Sequence, residues 1–382
     1  MAANSILLDF ILPSERCRSV EGQLEILKQI QWCLEKYGVK PVHVEKFGAA
    51  GLFFVFAGPK GVTGTVRIHP EGVVTLTLEY FVCNGLSPLF STKELQRLRD
   101  EVEEKLKASR SRLLPPVQRG LAVDPYLTTS DERLLQYDFD VKLFEERTPY
   151  QKVMIVHSPS LGNALILDDL INLAESDGIY TDTLMLKGRI SYKGKTCLIL
   201  GGGDGALLHQ LLQEDPDYIT MVEIDEVVMQ ACSKHMRSVC GDSMDSHKGL
   251  HHEIIVGDAV ATMEEYVKEG RRFDFVFGDL TDIPISTDPT AELWLFFRRI
   301  LTLALSLLAP SGIYLSHANG VSSHKALSMF EEQLGAIDPP VKFSKCSAYV
   351  PSFMEPWVFY QVWYKHSPPV VLPDTLQSSL LS

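Results

Sequence analysis

The apolar residues of the second half of the chain fall into short runs separated by segments with helical spacing. Residues 196–201 carry no charge and are typical of a buried parallel strand, and a long apolar helix is predicted over residues 291–308. Alternation of strand and helix predicts a doubly wound, mostly parallel sheet of the methyltransferase-like Rossmann type. Its other predicted strands are 219–223, 253–256, 273–277 and 312–316, with an antiparallel edge pair at 341–350 and 357–364.

Residues 1–120 have the pattern of a separate α+β domain. Leucine and isoleucine at positions 24, 27, 30 and 34 mark one face of a helix, and the runs 62–68 and 73–80 predict a hairpin. Ser91 and Glu94 form a capping box that predicts the start of a further helix. Because no catalytic residue types cluster here, we expect a dimerisation domain that makes the protein a homodimer, with a linker at residues 110–116.

The remaining sequence divides into three parts. Residues 121–172 contain the strand-like runs 134–139, 152–157 and 164–167, which predict a small antiparallel β domain. Residues 173–366 form the predicted Rossmann-like catalytic domain. Prolines and serines dominate residues 367–382, which are predicted to be a disordered tail.

Charge and cysteine usage narrow the class of partner. The net charge is -13, and residues 121–382 hold 36 acidic against 20 basic residues. This excess disfavours nucleic acid and favours a cationic small molecule, although solubility alone would also explain it. Seven cysteines without a C-x-x-C pair fit a reduced compartment, and no basic leader or long apolar span is present. We therefore expect a cytoplasmic protein without membrane association.

A glycine-rich turn follows the first Rossmann strand. Its sequence is Gly201-Gly202-Gly203-Asp204-Gly205, and a second strand ends at Glu223, where a carboxylate can reach a ribose diol. Asp204 argues against a dinucleotide ligand, because its carboxylate would repel the pyrophosphate. Two unit charges about 4 Å apart repel by roughly 4 kcal/mol at an effective dielectric of about 20. The turn is therefore predicted to bind a nucleoside beside a cation.

Four carboxylates follow successive predicted strands. They are Asp204, Glu223, Asp258 and Asp279. Each one alone could be a helix cap or a surface charge, but parallel strands end at one edge of a sheet, where ligands bind. The sequence therefore predicts that the four acids converge on one cleft. Glu175 and Asp177 precede the predicted helix 180–187, and a purely structural role at the N-terminus of that helix is an alternative for both.

Long motifs resemble the spermine synthases of the aminopropyltransferase, or spermidine/spermine synthase, family. The resemblance covers residues 5–366 and is carried by the segments 172–177, 201–205, 220–225, 279–286 and 350–357. It implies transfer of an aminopropyl group from decarboxylated S-adenosylmethionine to the N8-type amine of spermidine, which gives spermine and methylthioadenosine. It also implies an N-terminal domain similar to adenosylmethionine decarboxylase, with no metal and no cofactor besides the co-substrate.

The resemblance also implies roles for single residues. Nucleoside contacts are implied for Gln151, Glu223, Asp258 and Ala259, and polyamine contacts for Tyr180, Asp204, Phe353 and Glu355. Asp279 is implied as the proton acceptor. Ala259 stands where the family often has cysteine, Phe353 stands where it has tyrosine, and Phe277-Gly278 differs from the usual Ile-Asn.

The implied chemistry agrees with the charges. A polyamine amine has a pKa near about 10, so it arrives as ammonium and must lose a proton before it attacks. Three alternatives remain open at this point: a spermidine synthase acting on putrescine, an S-adenosylmethionine-dependent methyltransferase, and a non-catalytic paralogue that binds polyamine.

Overall fold

A computed structural model describes residues 2–47, 51–82, 90–129, 131–280 and 291–366. The chain divides into two compact units, Met1–Pro125 and Tyr126–Ser382. Within the described ranges, no helix has both the length and the apolar character required to cross a bilayer. The predicted tail 367–382 and the motif residues 281–286 lie outside the described residues.

The described residues of the first unit form a seven-stranded antiparallel sheet and three α-helices. The elements are β1 Ala2–Ile11, α1 Ser14–Arg18, α2 Val20–Glu35, β2 Lys40–Lys46, β3 Leu52–Ala57, β4 Thr63–Ile68, β5 Val73–Val82, α3 Thr92–Leu106, β6 Arg110–Leu113 and β7 Val117–Arg119. The strands run in the order β2-β3-β4-β5-β1-β6, and β7 also pairs with β1.

Local sequence explains most of this unit. The Ser91 side chain accepts from the Glu94 N–H while the Glu94 carboxylate accepts from the Ser91 N–H, so the predicted capping box starts α3. The predicted linker at 110–116 is wrong, because residues 110–113 form β6 and pair with Leu8–Ile11 of β1. Backbone pairing with a distant strand, rather than local composition, decides the structure of this proline-marked segment.

The second unit begins with two small antiparallel sheets. A hairpin pairs β8 Tyr126–Thr128 with β9 Leu134–Gln136. A four-stranded sheet follows, in the order β10 Val141–Arg147, β11 Lys152–Ser158, β12 Gly162–Leu167 and β13 Leu170–Ala174. The predicted run 134–139 is therefore not part of the meander: it ends at Gln136 and pairs with β8.

The rest of the second unit is a seven-stranded sheet with helices on both faces. The elements of this part are α4 Gly178–Leu184, β14 Thr196–Gly201, α5 Ala206–Leu212, β15 Tyr218–Glu223, α6 Glu226–His235, α7 Arg237–Cys240, β16 His252–Val256, α8 Ala259–Glu269, β17 Phe273–Asp279, α9 Glu292–Ser306, β18 Leu308–Gly320, α10 His324–Gly335, β19 Val341–Val350 and β20 Glu355–Tyr364. The strand order is β16-β15-β14-β17-β18-β20-β19, with β14 to β18 parallel and the last two strands antiparallel. This order confirms the predicted doubly wound, methyltransferase-like fold.

Both faces of this sheet are buried, which explains the uncharged sequence of β14. Cys197 and Ile199 pack against the cluster that includes α4 to α7, while Leu198 and Leu200 pack against α8 to α10. Strand order reverses at β14, between its neighbours β15 and β17. The carboxyl ends of these strands therefore border a crevice of the kind in which ligands bind in open α/β sheets.

Candidate active site

A cavity of about 380 Å³ lies at this edge of the sheet, within the second unit. Its floor is the glycine turn after β14 together with the ends of β15, β17 and β18. The β8–β9 hairpin, the β12–β13 region and the segment 353–357 form its walls. The lining side chains with candidate chemistry are Asp131, Arg133, Gln151, Tyr180, Asp204, Glu223, Asp279, His317, Phe353 and Glu355.

The glycine turn requires glycine for two separate reasons. Gly201 has φ +83°, and a Cβ there would lie 2.3 Å from the backbone oxygen of Asp279. Gly205 has φ +78°, and a Cβ there would lie 2.5 Å from the terminal methyl of Met244. The turn therefore brings the backbone of β14 close to the end of β17. The Ala206 N–H donates to Asp204 Oδ1 at 2.8 Å, which orients the carboxylate at the start of α5.

Asp279 lies at the end of β17 with its side chain almost fully buried. The Tyr180 hydroxyl donates to Asp279 Oδ1 at 3.0 Å, and His317 Nε2 lies 4.0 Å from the same oxygen. Burial raises the pKa of Asp279, while the neighbouring His317 and the Tyr180 hydrogen bond oppose the rise. A carboxylate with a raised pKa is a stronger base than a free aspartate, as proton abstraction from an ammonium requires.

Asp204 and Asp279 face the same cavity, and each affects the other electrostatically. Burial raises the pKa of Asp204, and the charges of Asp279 and Glu223 raise it further. Burial also raises the pKa of Glu223. The raised pKa values mean that ionising all three carboxylates in the empty cavity is costly. A bound cation lowers this cost, so the site favours cationic ligands.

Glu223 and Gln151 are held by a second set of contacts around Asp225. Glu223 Oε1 accepts from the Asp225 N–H at 2.8 Å, and Gln151 Nε2 donates to Asp225 Oδ2 at 3.1 Å. Gly203 lies so close to Glu223 that a Cβ there would be 2.9 Å from Oε2. Because the glycine backbone and the carboxylate lie side by side, this part of the cavity suits a ribose with two free hydroxyls.

Asp258 and Ala259 do not line the cavity. Asp258 Oδ1 accepts from the Val260 N–H at 2.8 Å and so caps α8, and Ala259 is buried in the first turn of that helix. Their implied contact with adenine stays a prediction. The other seven residues named from the sequence line one cavity together.

Another carboxylate that lines the cavity is already paired with a cation. Glu355 is buried, and its Oε1 accepts a short contact from Arg133 Nη2. Ser322 Oγ donates to Glu355 Oε2 at 2.9 Å. Arg133 Nε also contacts both carboxylate oxygens of Asp131, at 2.9 and 2.8 Å. Gly320 makes room for this arrangement, since a Cβ there would lie 2.2 Å from Glu355 Oε2.

The segment that carries Phe353 is anchored by a buried carboxylate. Asp177 accepts from the Ser352 N–H at 3.0 Å and from Ser352 Oγ at 2.5 Å, and the Tyr137 hydroxyl donates to the Ser352 oxygen at 2.7 Å. Asp177 therefore serves as an anchor for this turn rather than as a helix cap. The Phe353 ring then meets Tyr180 edge-on, with 6.0 Å between centroids.

Three of the lining side chains with candidate chemistry were not identified from the sequence. His317 follows the predicted strand 312–316 at the same edge as Asp279, so the strand-end rule could have found it. Asp131 and Arg133 lie beside the turn of the β8–β9 hairpin, where charged residues are common. Their partner Glu355 is 222 positions away from Arg133, and no local pattern indicates that pairing.

Among the described residues, no group of three or more His, Cys, Asp or Glu side chains is arranged to hold a metal ion.

Fold and cavity together define a protein of the methyltransferase-like Rossmann class with carboxylates at the carboxyl ends of its strands. The profile of the spermine/spermidine synthase domain matches residues 177–372, about half of the chain, and that of the spermidine synthase tetramerisation domain matches residues 126–175. The chain therefore belongs to the spermidine/spermine synthase family of aminopropyltransferases.

Individual relatives agree with this assignment. Thermospermine synthase from Arabidopsis thaliana is 28% identical over 238 residues, which cover 60% of this chain and 66% of the plant protein. Polyamine aminopropyltransferase from Pyrococcus abyssi is 29% identical over 226 residues, which cover 57% of this chain and 76% of the archaeal protein. The match thus spans just under two thirds of the plant relative.

Solved structures support the fold. Spermidine synthase from Thermotoga maritima superposes with a TM-score of 0.52 at 18% identity, covering 67% of this chain and 84% of that chain. A spermidine synthase in complex with the transition-state analogue AdoDATO gives a TM-score of 0.51 at 19% identity, covering 67% and 85%. At these identities the likeness concerns the fold alone.

Proposed function

We propose that this protein transfers an aminopropyl group from decarboxylated S-adenosylmethionine to spermidine and releases spermine and methylthioadenosine. The observation that carries the proposal is the grouping of Asp204, Asp279 and Glu223 in one cavity beside the glycine turn. Both substrates are cations, and a pocket that binds them must supply negative charge where the amines lie. Family membership supports the reaction class, and the further lining carboxylate Glu355 supports a long acceptor.

The reaction joins the acceptor nitrogen to the propyl carbon that is bonded to sulfur. The amine lone pair forms the new C–N bond while the C–S bond breaks and its electron pair returns to sulfur, which leaves as a neutral thioether. The acceptor must first lose one proton, and Asp279 accepts it in this proposal. Because the leaving group is neutral, most of the acceleration comes from aligning nitrogen, carbon and sulfur.

Asp204 is the residue proposed to select the donor. Decarboxylated S-adenosylmethionine ends in an ammonium without a carboxylate, so it pairs with Asp204, whereas intact S-adenosylmethionine brings a negative charge toward it. A methyltransferase would have to accept that repulsion. Detectable methyl transfer from intact S-adenosylmethionine would favour the methyltransferase alternative over this one.

Glu355 is the residue proposed to recognise the far amine of spermidine. Phe353 and Glu355 line the same cavity as Asp279. In this proposal a triamine reaches from Asp279 to Glu355, whereas a diamine leaves Glu355 without an ammonium. This supports spermidine over putrescine as acceptor. Spermidine has two different primary amines, and the proposal commits to the N8-type end, which gives spermine; attack by the other end would give thermospermine.

The roles of the domains belong to the same proposal. We assign residues 1–120 to homodimerisation through a domain resembling adenosylmethionine decarboxylase, residues 121–172 to a small β domain, and residues 173–366 to catalysis. Light scattering of the full chain would test the homodimer, and a tetramer would favour the assembly named in the description of the matching 126–175 profile. The cytoplasmic location also stays a prediction, which imaging of a tagged chain would check.

Product analysis tests the activity directly. The protein is mixed with decarboxylated S-adenosylmethionine and either spermidine or putrescine, and the polyamines are separated by chromatography that resolves spermine from thermospermine. Spermine with an equal amount of methylthioadenosine is the expected result. Preferred use of putrescine would indicate a spermidine synthase, and binding without any product would indicate a non-catalytic paralogue.

A further inference from the structure

The part of the cavity around Glu355 contains a cation supplied by the protein itself. Arg133 extends from the β8–β9 hairpin, and its guanidinium divides its contacts between two carboxylates. Nε contacts both oxygens of Asp131, whereas Nη2 alone contacts Glu355. The two sets of contacts involve different nitrogen atoms. The Nη2 contact with Glu355 can therefore break while the Nε contacts with Asp131 stay intact.

Exposure differs sharply between the partners. The Arg133 side chain is 43% exposed, and that of Glu355 is 10% exposed. An exposed arginine can turn toward water at small cost, whereas a buried carboxylate without a cation pays a desolvation penalty. Glu355 is also fixed by Ser322 and by the close approach of Gly320, so the arginine is the mobile partner in this pair.

We propose that Arg133 competes with the terminal ammonium of the polyamine for Glu355, and thereby limits how tightly the enzyme holds both its long acceptor and its product. When the far amine arrives, Nη2 leaves Glu355 while Nε stays on Asp131, and the ammonium takes the vacated oxygen. The inference rests on the proposed function, and it assigns Arg133 a role in specificity rather than in the chemical step.

The competition affects substrates according to their length. Spermidine and spermine both carry an amine that can reach Glu355, so each must displace the guanidinium. Putrescine is too short to need that contact in this scheme and binds with Arg133 in place. Arg133 therefore weakens long polyamines selectively, which favours release of spermine after each turnover.

The test replaces Arg133 by glutamine and measures the KM for spermidine, the KM for putrescine and the dissociation constant of spermine. Because the Arg133 side of this ion pair is 43% exposed, we use the range of about 0.2–1 kcal/mol for solvent-screened pairs and expect the KM for spermidine and the dissociation constant of spermine each to fall by about two- to fivefold. The KM for putrescine should stay unchanged. Titration calorimetry of spermine with methylthioadenosine present gives the binding result without turnover.

Arg299→Gln is the matched control. Arg299 pairs with Glu264 on the exposed surface of α8 and α9 and does not line the cavity, so this variant should match the parent in every constant. If Arg133 instead holds Glu355 in place for the amine, Arg133→Gln will raise the KM for spermidine, and that result, or no change, would overturn the inference. If the parent protein makes no spermine but binds it, the calorimetric arm still decides the role of Arg133 while the proposed function fails.

Discussion

The Tyr180 hydroxyl donates a hydrogen bond to Asp279 Oδ1 across 3.0 Å, and this contact joins the start of α4 to the end of β17. Asp279 is buried, and this hydrogen bond and the neighbouring His317 both favour its charged form. Tyr180 also packs edge-on against Phe353, so one aromatic side chain contacts both the proposed base and a residue proposed to contact the acceptor.

Tyr180→Phe should therefore shift the pH dependence of catalysis. The hydrogen bond lowers the pKa of Asp279, so its loss raises that pKa, and the base becomes protonated at higher pH. Hydrogen bonds to charged groups are worth about 1.5–3 kcal/mol, so the acid limb of kcat/KM should move upward by about one pH unit or more. Rate profiles from pH 5 to 9 measure this shift. Tyr218→Phe, at the start of β15, is the control, and an unmoved acid limb in Tyr180→Phe would contradict the assignment.

Asp279→Asn tests the proton acceptor itself. An amide cannot take the proton from the acceptor ammonium, so kcat should fall by about 10²- to 10⁴-fold. Binding of methylthioadenosine, measured by calorimetry, should change little because the proposal assigns the nucleoside to Glu223 rather than to Asp279. Asp245→Asn, which removes an exposed carboxylate paired with Arg237, should leave kcat unaltered. Near-normal turnover in Asp279→Asn would remove this residue from the mechanism.

Gly320→Ala tests the space behind Glu355. The new methyl would lie 2.2 Å from Glu355 Oε2 and must displace the carboxylate. The KM for spermidine should rise by about tenfold or more, since loss of one charge-assisted contact costs about 1.5–3 kcal/mol. Donor binding should stay close to that of the parent. Gly335→Ala, at a position with open space around it, is the control; equal KM values in both variants would mean that Glu355 does not hold the acceptor.

Local patterns in the sequence predict the elements that build the floor of the cavity. Uncharged strands, glycines and acids at strand ends follow directly from burial on both faces of a parallel sheet, and Asp204, Glu223 and Asp279 meet at one cavity as that rule requires. The same rule placed Asp258 with them, but its side chain turns back to cap α8. A strand-end position alone does not decide between these two uses of a carboxylate.

Long-range pairing explains what the sequence did not predict. The Arg133 contact with Glu355 and the Asp177 contact with Ser352 each join residues more than 170 positions apart. Neither leaves a periodic signal, because each depends on how separate elements pack. Strand β6 was missed for the same reason, since its residues were predicted to be a linker but pair with the distant strand β1.

The buried carboxylates of the cavity should lower the stability of the ligand-free protein at a pH where they are ionised. Burial raises the pKa of Asp204 and Asp279 above that of an unfolded aspartate, so folding favours their protonated forms, and stability falls as pH rises from the ordinary carboxyl range through the raised values. Asp204→Asn removes one of these charges yet keeps an oxygen that can accept from the Ala206 N–H. Its Tm without ligand should exceed that of the parent by about 2–4 °C at pH 8, which corresponds to about 1 kcal/mol, and the gain should shrink as pH falls toward 5. Thermal unfolding of both proteins across this range, with activity measured in parallel, separates the effect from other titrating groups; an equal or lower Tm for Asp204→Asn at pH 8 would contradict the electrostatic account of the cavity.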